Sequence, residues 1–206
     1  GKVKWGPQGK RIRTSAALWR KPLQWNKHHW YECSCGWRGL NDNSHEHANV
    51  FLKPARQRVF CSSLADVFEL KPDQETEMFQ WRADLFALIE ATPNLDWLLL
   101  TKRIENVVAL IPQEWYTNFP KNIWLGVSAE NQEEFDVRAP ILENFGRAFR
   151  PSVIFVSAEP LLSAIDMSYF LQEQDLGDDN SIWTRPIDWV IAGGESGPKA
   201  RPMHPD

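Results

Sequence analysis

The 206-residue sequence contains no uninterrupted apolar run of the roughly 18 residues that a membrane-crossing helix needs. A charged-then-apolar leader is also missing from its start, which is Gly1 rather than Met. Cysteine is scarce, with Cys33, Cys35 and Cys61 the full set. An odd number this small excludes a disulfide framework and fits a reducing, cytoplasmic setting, where cysteine serves metal binding or redox chemistry. No phosphate-binding glycine loop with lysine, dinucleotide fingerprint or nucleophile elbow is present, so those nucleotide-binding and hydrolytic chemistries have no motif here.

Charge is unevenly spread. Residues 1–58 hold 12 Lys and Arg against three acidic residues, whereas residues 59–206 hold 11 against 24. Five of the 11 tryptophans (Trp5, Trp19, Trp25, Trp30 and Trp37) fall in the basic segment. Cations interleaved with flat aromatic faces suit a nucleic acid, which offers phosphates and bases. The other reading is that this segment docks on the acidic remainder of its own chain.

From residue 58 onward one pattern recurs: "RVFCSSLADVF", "LDWLLLTKRIEN", "NIWLGVSAENQEE", "SVIFVSAEPLL" and "DWVIAGGESGP". Each is a short run of Val, Ile, Leu, Phe or Trp that ends in small and polar residues. Such continuous runs predict strands buried on both faces of a parallel sheet. Helical periodicity separates several of them, over 73–92, 103–111 and 131–145, with Pro93 and Pro112 as stops and Pro140 as a kink or restart. In the first helix Met78, Trp81, Leu85 and Leu88 form the apolar stripe, widened by Phe79, Phe86 and Ile89. Residues 14–25 predict a further helix capped by Thr14 or Ser15 and ended by Pro22, and 172–186 reads as a loop. Alternating strands and helices predict an α/β fold, either an open doubly wound sheet or a (β/α) barrel, in a single domain over 1–206. Five strands are too few for a closed eight-stranded barrel, so a partial (β/α) barrel is expected.

In such a fold ligands bind where the strands end, because the following loops converge there. The candidates are Ser62 and Asp66; Lys102 and Arg103; Glu130 and Asn131; Glu159; and Gly193, Gly194, Glu195 and Ser196. Carboxylates facing Lys102 and Arg103 would make a mixed-charge pocket for a zwitterionic or phosphorylated ligand. Gly193 and Gly194 would let the backbone approach it closely. Strand ends are also polar simply because they emerge into solvent, but five in a row exceed what that requires.

A second candidate is the insertion at 28–53, "ECSCGWRGLNDNSHEHA". Cys33, Cys35, His45 and His47 are four borderline-soft donors within 15 residues, enough for a tetrahedral Zn²⁺ in a small knuckle. The spacing of one residue between the cysteines departs from the usual two to four, so an exposed loop with incidental histidines is the alternative. Cys61, inside an apolar run, reads as a small buried hydrophobe.

The motifs "RTSAALWRKPLQWN", "VFCSSLADVF", "WRADLFALIEATPNLDWLLLTKR", "NIWLGVSAENQEE", "VSAEPLL" and "DWVIAGGESGPKARPMHPD" together resemble a phage-associated family of unknown function, related to radical S-adenosylmethionine enzymes. The resemblance covers nearly the whole chain outside the insertion. It implies a partial (β/α) barrel in a phage- or prophage-encoded protein of the bacterial host cytoplasm. It also implies S-adenosylmethionine as cofactor and a [4Fe–4S] cluster held by a three-cysteine motif. That motif normally precedes the point where this sequence begins, and Cys33, Cys35 and Cys61 lack its spacing. The chain therefore reads as an internal piece of a longer protein. Within the resemblance, Glu159 and Glu195 are expected on the cofactor's amino or ribose groups, with Lys102 or Arg103 on its carboxylate.

Overall fold

The computed structural model describes residues 9–40, 52–61, 65–171, 187–195, 197, 200 and 201. The chain forms two compact units, Gly1–Val59 with Leu70–Asp96, and Phe60–Glu69 with Trp97–Asp206.

The first unit carries helix α1 (Ala16–Trp25), strands β1 (Trp30–Glu32), β2 (Arg38–Leu40) and β3 (Lys53–Ala55), and helix α2 (Glu75–Glu90). The three strands form an antiparallel sheet in the order β2-β1-β3. Helix α1 does not stop at Pro22. It runs on to Trp25, and the carbonyl of Pro22 still accepts from Asn26 N–H at 2.8 Å. One proline removes one donor, and the rest of the ladder survives. Helix α2 buries Met78, Arg82, Leu85, Phe86 and Ile89, whereas Phe79 is 66% exposed. The buried stripe is thus rotated from the expected one and takes in an arginine.

The other sheet is five-stranded, in the order β4 (Gln57–Cys61), β5 (Leu95–Thr101), β6 (Ile123–Ser128), β7 (Val153–Ala158) and β8 (Trp189–Ala192). Every strand lies beside its predecessor in sequence. Parallel crossovers are right-handed, so a sheet that always advances in one direction keeps its connecting helices on one face and curls. The result is an open, curled parallel sheet, a partial barrel. Pairing runs Leu99↔Leu125, Leu125↔Ile154 and Val156↔Val190, which fixes the register from β5 to β8.

Alternation along the strands separates two environments. Ile123, Leu125, Val127, Ile154, Val156 and Ala158 are sealed from solvent, and helix α4 (Gln132–Phe149) packs against both strands that carry them. It contributes Phe135, Ala139 and Leu142, all fully buried. Burying a large side chain such as Phe135 or Leu142 stabilises the fold by about 1.5–3 kcal/mol. Trp124, Gly126 and Ser128 alternate onto the opposite face with Val153, Phe155 and Ser157. There the Phe155 ring fills the space over Gly126, and Trp189 sets its edge against Trp124 with ring centroids 5.8 Å apart.

Helix α4 begins where Asn131 Oδ1 accepts from Glu134 N–H at 2.9 Å, with Glu133 and Glu134 in the first turn where the helix dipole favours acids. It passes through Pro140 and ends at Arg150, in the left-handed conformation at φ 51°. The expected helix over 103–111 is shorter than its pattern: a 3₁₀ turn, Ile104–Asn106, followed by α3 (Val107–Leu110). The predicted loop at 172–186 lies outside the described residues.

Candidate functional site

Because β5, β6, β7 and β8 are parallel, their C-terminal ends share one edge, and the following residues build three side-chain groups along it. The first is centred on Asp66. Its Oδ1 accepts from Phe68 N–H (3.0 Å) and Thr101 Oγ1 (2.8 Å), and its Oδ2 accepts from Lys102 N–H (3.0 Å) and Arg103 Nη1 (2.9 Å). Arg103 Nη2 also reaches Glu69 at 3.3 Å. One carboxylate with four donors is a fastener. It ties the segment after β4 to the end of β5, and between them Asp66 and Glu69 compensate the Arg103 charge.

The second group is centred on Glu130, which is buried. Glu130 Oε1 pairs with Lys102 Nζ and accepts from Ser128 Oγ at 3.1 Å. Its Oε2 lies 3.5 Å from Arg138 Nη1, a nitrogen that also donates to the Ser128 carbonyl at 2.6 Å. Arg138 is paired a second time with Glu134, one helical turn earlier. Partial burial, then the Arg138 charge, hold the Lys102 ammonium below the usual lysine range. Asn131, a predicted ligand contact, is occupied as the cap of α4.

The third group joins β7 to β8. Glu159 is exposed, and its Oε2 accepts from Ser157 Oγ at 3.3 Å. Its Oε1 fills the space that a side chain on Gly193 would need. Gly193 N–H donates to the Ala158 carbonyl at 3.3 Å, and the Gly193 carbonyl accepts from Leu161 N–H at 2.8 Å. Among the described residues Glu159 has no cationic partner.

Glu195 behaves differently. Its Oε2 accepts from Arg201 N–H (2.8 Å) and Nε (3.0 Å), and its Oε1 pairs with Nη2. These hydrogen bonds from Arg201 hold its carboxyl down to about 2. The glutamate of "GGESG" therefore clamps its own loop, which turns at Gly197 with φ 103°. Gly194 is exposed beside it. Ser62 and Ser196 lie outside the described residues.

In the insertion, Cys33 and Cys35 sit on the tight turn between β1 and β2. Cys35 N–H points at Cys33 Sγ (3.4 Å), Cys33 N–H donates to the Trp37 carbonyl, and Gly36 takes φ 90°. Cys33 is buried and Cys35 exposed. His45 and His47 lie outside the described residues. Among the described residues no group of three or more His, Cys, Asp or Glu could hold a metal ion.

The family model that spans residues 2–206 is that of the Protein of unknown function (DUF5131). The chain belongs to this family. No curated protein and no solved structure matches it. The family match covers both units, including the insertion and the whole rim. Among the described residues no helix is long and apolar enough to cross a membrane.

Strand-end reasoning missed Arg138 and Glu69. Arg138 projects from a helix, and its only sequence signal is the spacing of four from Glu134. Glu69 belongs to a loop where nothing but its proximity to Asp66 marks it.

Proposed function

We propose that the rim binds a small ligand carrying a cationic or hydrogen-bond-donating group. S-adenosylmethionine is the ligand that the resemblance to radical enzymes suggests. The observation that carries this reading is Glu159, an exposed carboxylate at the end of β7 with no cationic partner among the described residues. Every other described acid of the rim already has one: Asp66 and Glu69 hold Arg103, Glu130 holds Lys102 and Arg138, and Glu195 holds Arg201. Glu159 would take the ligand's ammonium group. Lys102, half-exposed and sharing its one carboxylate with Arg138, would take the ligand's carboxylate.

Bound S-adenosylmethionine would supply an activated sulfonium carbon. The cluster of radical enzymes would need three cysteinates and one open iron, and no group of three suitable donors exists among the described residues. No step is therefore assigned to a cluster, and zinc in the insertion has no described ligand beyond Cys33 and Cys35. A cytoplasmic, phage- or prophage-encoded enzyme is the setting that this reading carries with it.

The test is calorimetric titration of the purified chain with S-adenosylmethionine and with S-adenosylhomocysteine, which lacks the sulfonium charge. Binding to the wild type should weaken at least about tenfold in Glu159→Gln, the scale of one charge-assisted bond. Glu195→Gln should bind nearly as the wild type. Undiminished binding by Glu159→Gln would overturn the assignment.

A further inference from the structure

The small sheet of the first unit offers a surface that the rim reading does not use. In its register Glu32 lies between Arg38 on β2 and Lys53 on β3, and Trp30 lies between Leu40 and Ala55. Strand alternation places all six on one face, while Tyr31, Gly39 and Pro54 take the other. Trp30 is half-buried, and Leu40 beside it is exposed. Arg38 Nη1 is 3.8 Å from Glu32, too long for a tight pair, while its Nη2 donates to the Arg56 carbonyl at 2.8 Å. That contact brings Arg38 to the next two arginines. Arg56 lies 3.5 Å from Asp96, and Arg58 has its pKa pressed down by partial burial and by the Arg38 charge. Among the described residues four cations, Arg38, Lys53, Arg56 and Arg58, thus gather here with two carboxylates, Glu32 and Asp96. The first unit as a whole holds 14 Lys and Arg against nine Asp and Glu.

A cation–aromatic pairing elsewhere in this unit is already satisfied. Arg13 is paired with Asp84 at 2.5 Å and lies 4.0 Å over the Trp19 ring. Among the described residues of the basic segment, Arg13 is thus tied to helices α1 and α2, while Arg38, Lys53, Arg56 and Arg58 collect at the sheet.

We infer that the face of β2-β1-β3 bearing Trp30, Arg38 and Lys53 is a binding surface for single-stranded nucleic acid. A base stacks on Trp30, and the flanking phosphates meet Arg38 and Lys53, with Arg56 and Arg58 continuing the cationic track. A single strand fits better than a duplex, because a flat aromatic on a sheet can reach a base face only where the bases are unstacked. Glu32 opposes the phosphates from the middle of the row and limits affinity.

The inference is independent of the ligand at the rim and is tested without it. The full chain is titrated into fluorescein-labelled oligo-dT and oligo-U of about 15 nucleotides, and anisotropy is read between about 50 and 200 mM KCl. Trp30→Ala should weaken binding about five- to a hundredfold with no change in salt slope, and Trp30→Phe should recover most of it. Arg38→Ala/Lys53→Ala should weaken binding and reduce the log–log salt slope by about 1.4, two phosphate contacts' worth on a single strand. Glu32→Gln should tighten binding, a gain that misfolding cannot imitate. Arg147→Ala, the removal of a half-buried cation from α4 in the other unit, should leave binding as it is. Wild-type affinity in Trp30→Ala and in the double variant, or an equal loss in Arg147→Ala, would overturn the assignment.

Discussion

Gly193 and Glu159 share one small volume: the carboxylate of Glu159 rests where any side chain at 193 would have to stand. The atom in the way is the far end of an exposed, flexible side chain, so it can be displaced at little cost to folding. Gly193→Ala should therefore change stability by less than about 0.5 kcal/mol, as an ordinary surface substitution does. It should nevertheless weaken ligand binding at the rim, because the carboxylate leaves its position. Thermal melting and calorimetry on the same sample separate the two effects. A large loss of stability with affinity intact would contradict the role given to this glycine.

Gly126 carries the opposite expectation. A methyl group there would overlap the Phe155 ring, which has no exposed surface and no room to withdraw. Gly126→Ala should destabilise by about 1–3 kcal/mol. Gly126→Ala/Phe155→Leu should regain part of that loss, so that the two changes fail to add in urea unfolding.

Asp66 accepts four hydrogen bonds, one of them from a guanidinium. Removing it strands the Arg103 charge on Glu69 alone and leaves two backbone N–H donors without their acceptor. Asp66→Ala should cost about 2–4 kcal/mol. A denaturant midpoint within error of the wild type would mean that the fastening of β5 to the preceding segment is dispensable.

The Glu195–Arg201 clamp makes a statement about pH. The Glu195 carboxyl is lowered from 4.5 to about 2, chiefly by the side-chain hydrogen bonds of Arg201. A lowered folded-state value means that the clamp's contribution is fully present above 4.5 and disappears as the pH falls through about 2. Carboxyl NMR should find Glu195 titrating near 2 in the wild type and close to 4.5 in Arg201→Ala. Little change between the two would mean that the clamp does not persist in solution.

The barrel strands were the most legible part of this sequence, because "WLLLT", "IWLGV" and "VIFVS" are too short and too uniformly apolar for anything but strands sealed on both sides. Their shared polar ends followed from parallel topology alone. Which charge met which did not follow. Arg138 arrives from a helix and Glu69 from a loop, and the partners of Lys102 and Arg103 depend on those arrivals. The face of α2 was equally hidden. Apolar residues at 78, 79, 81, 85, 86, 88 and 89 wrap far enough around the helix that periodicity offers several stripes, and only packing selects the one that buries Arg82 and exposes Phe79. At Pro22 proline was a weaker stop than its local chemistry suggests, since it lies inside α1, whereas α2 and α3 end before Pro93 and Pro112.

The pairing of Lys102 with Glu130 also sets the terms on which a ligand would enter. The rim cation is neutralised in advance, so a zwitterion arriving there exchanges one counterion for another. Its ammonium end would meanwhile settle on Glu159, so that S-adenosylhomocysteine would leave the total charge of the site unchanged and S-adenosylmethionine would add only its sulfonium. Such an exchange is nearly blind to ionic strength, whereas a strand of phosphates on the Arg38 face would expel its condensed ions and feel every increment of salt. Salt alone would then tell which of the two surfaces was occupied.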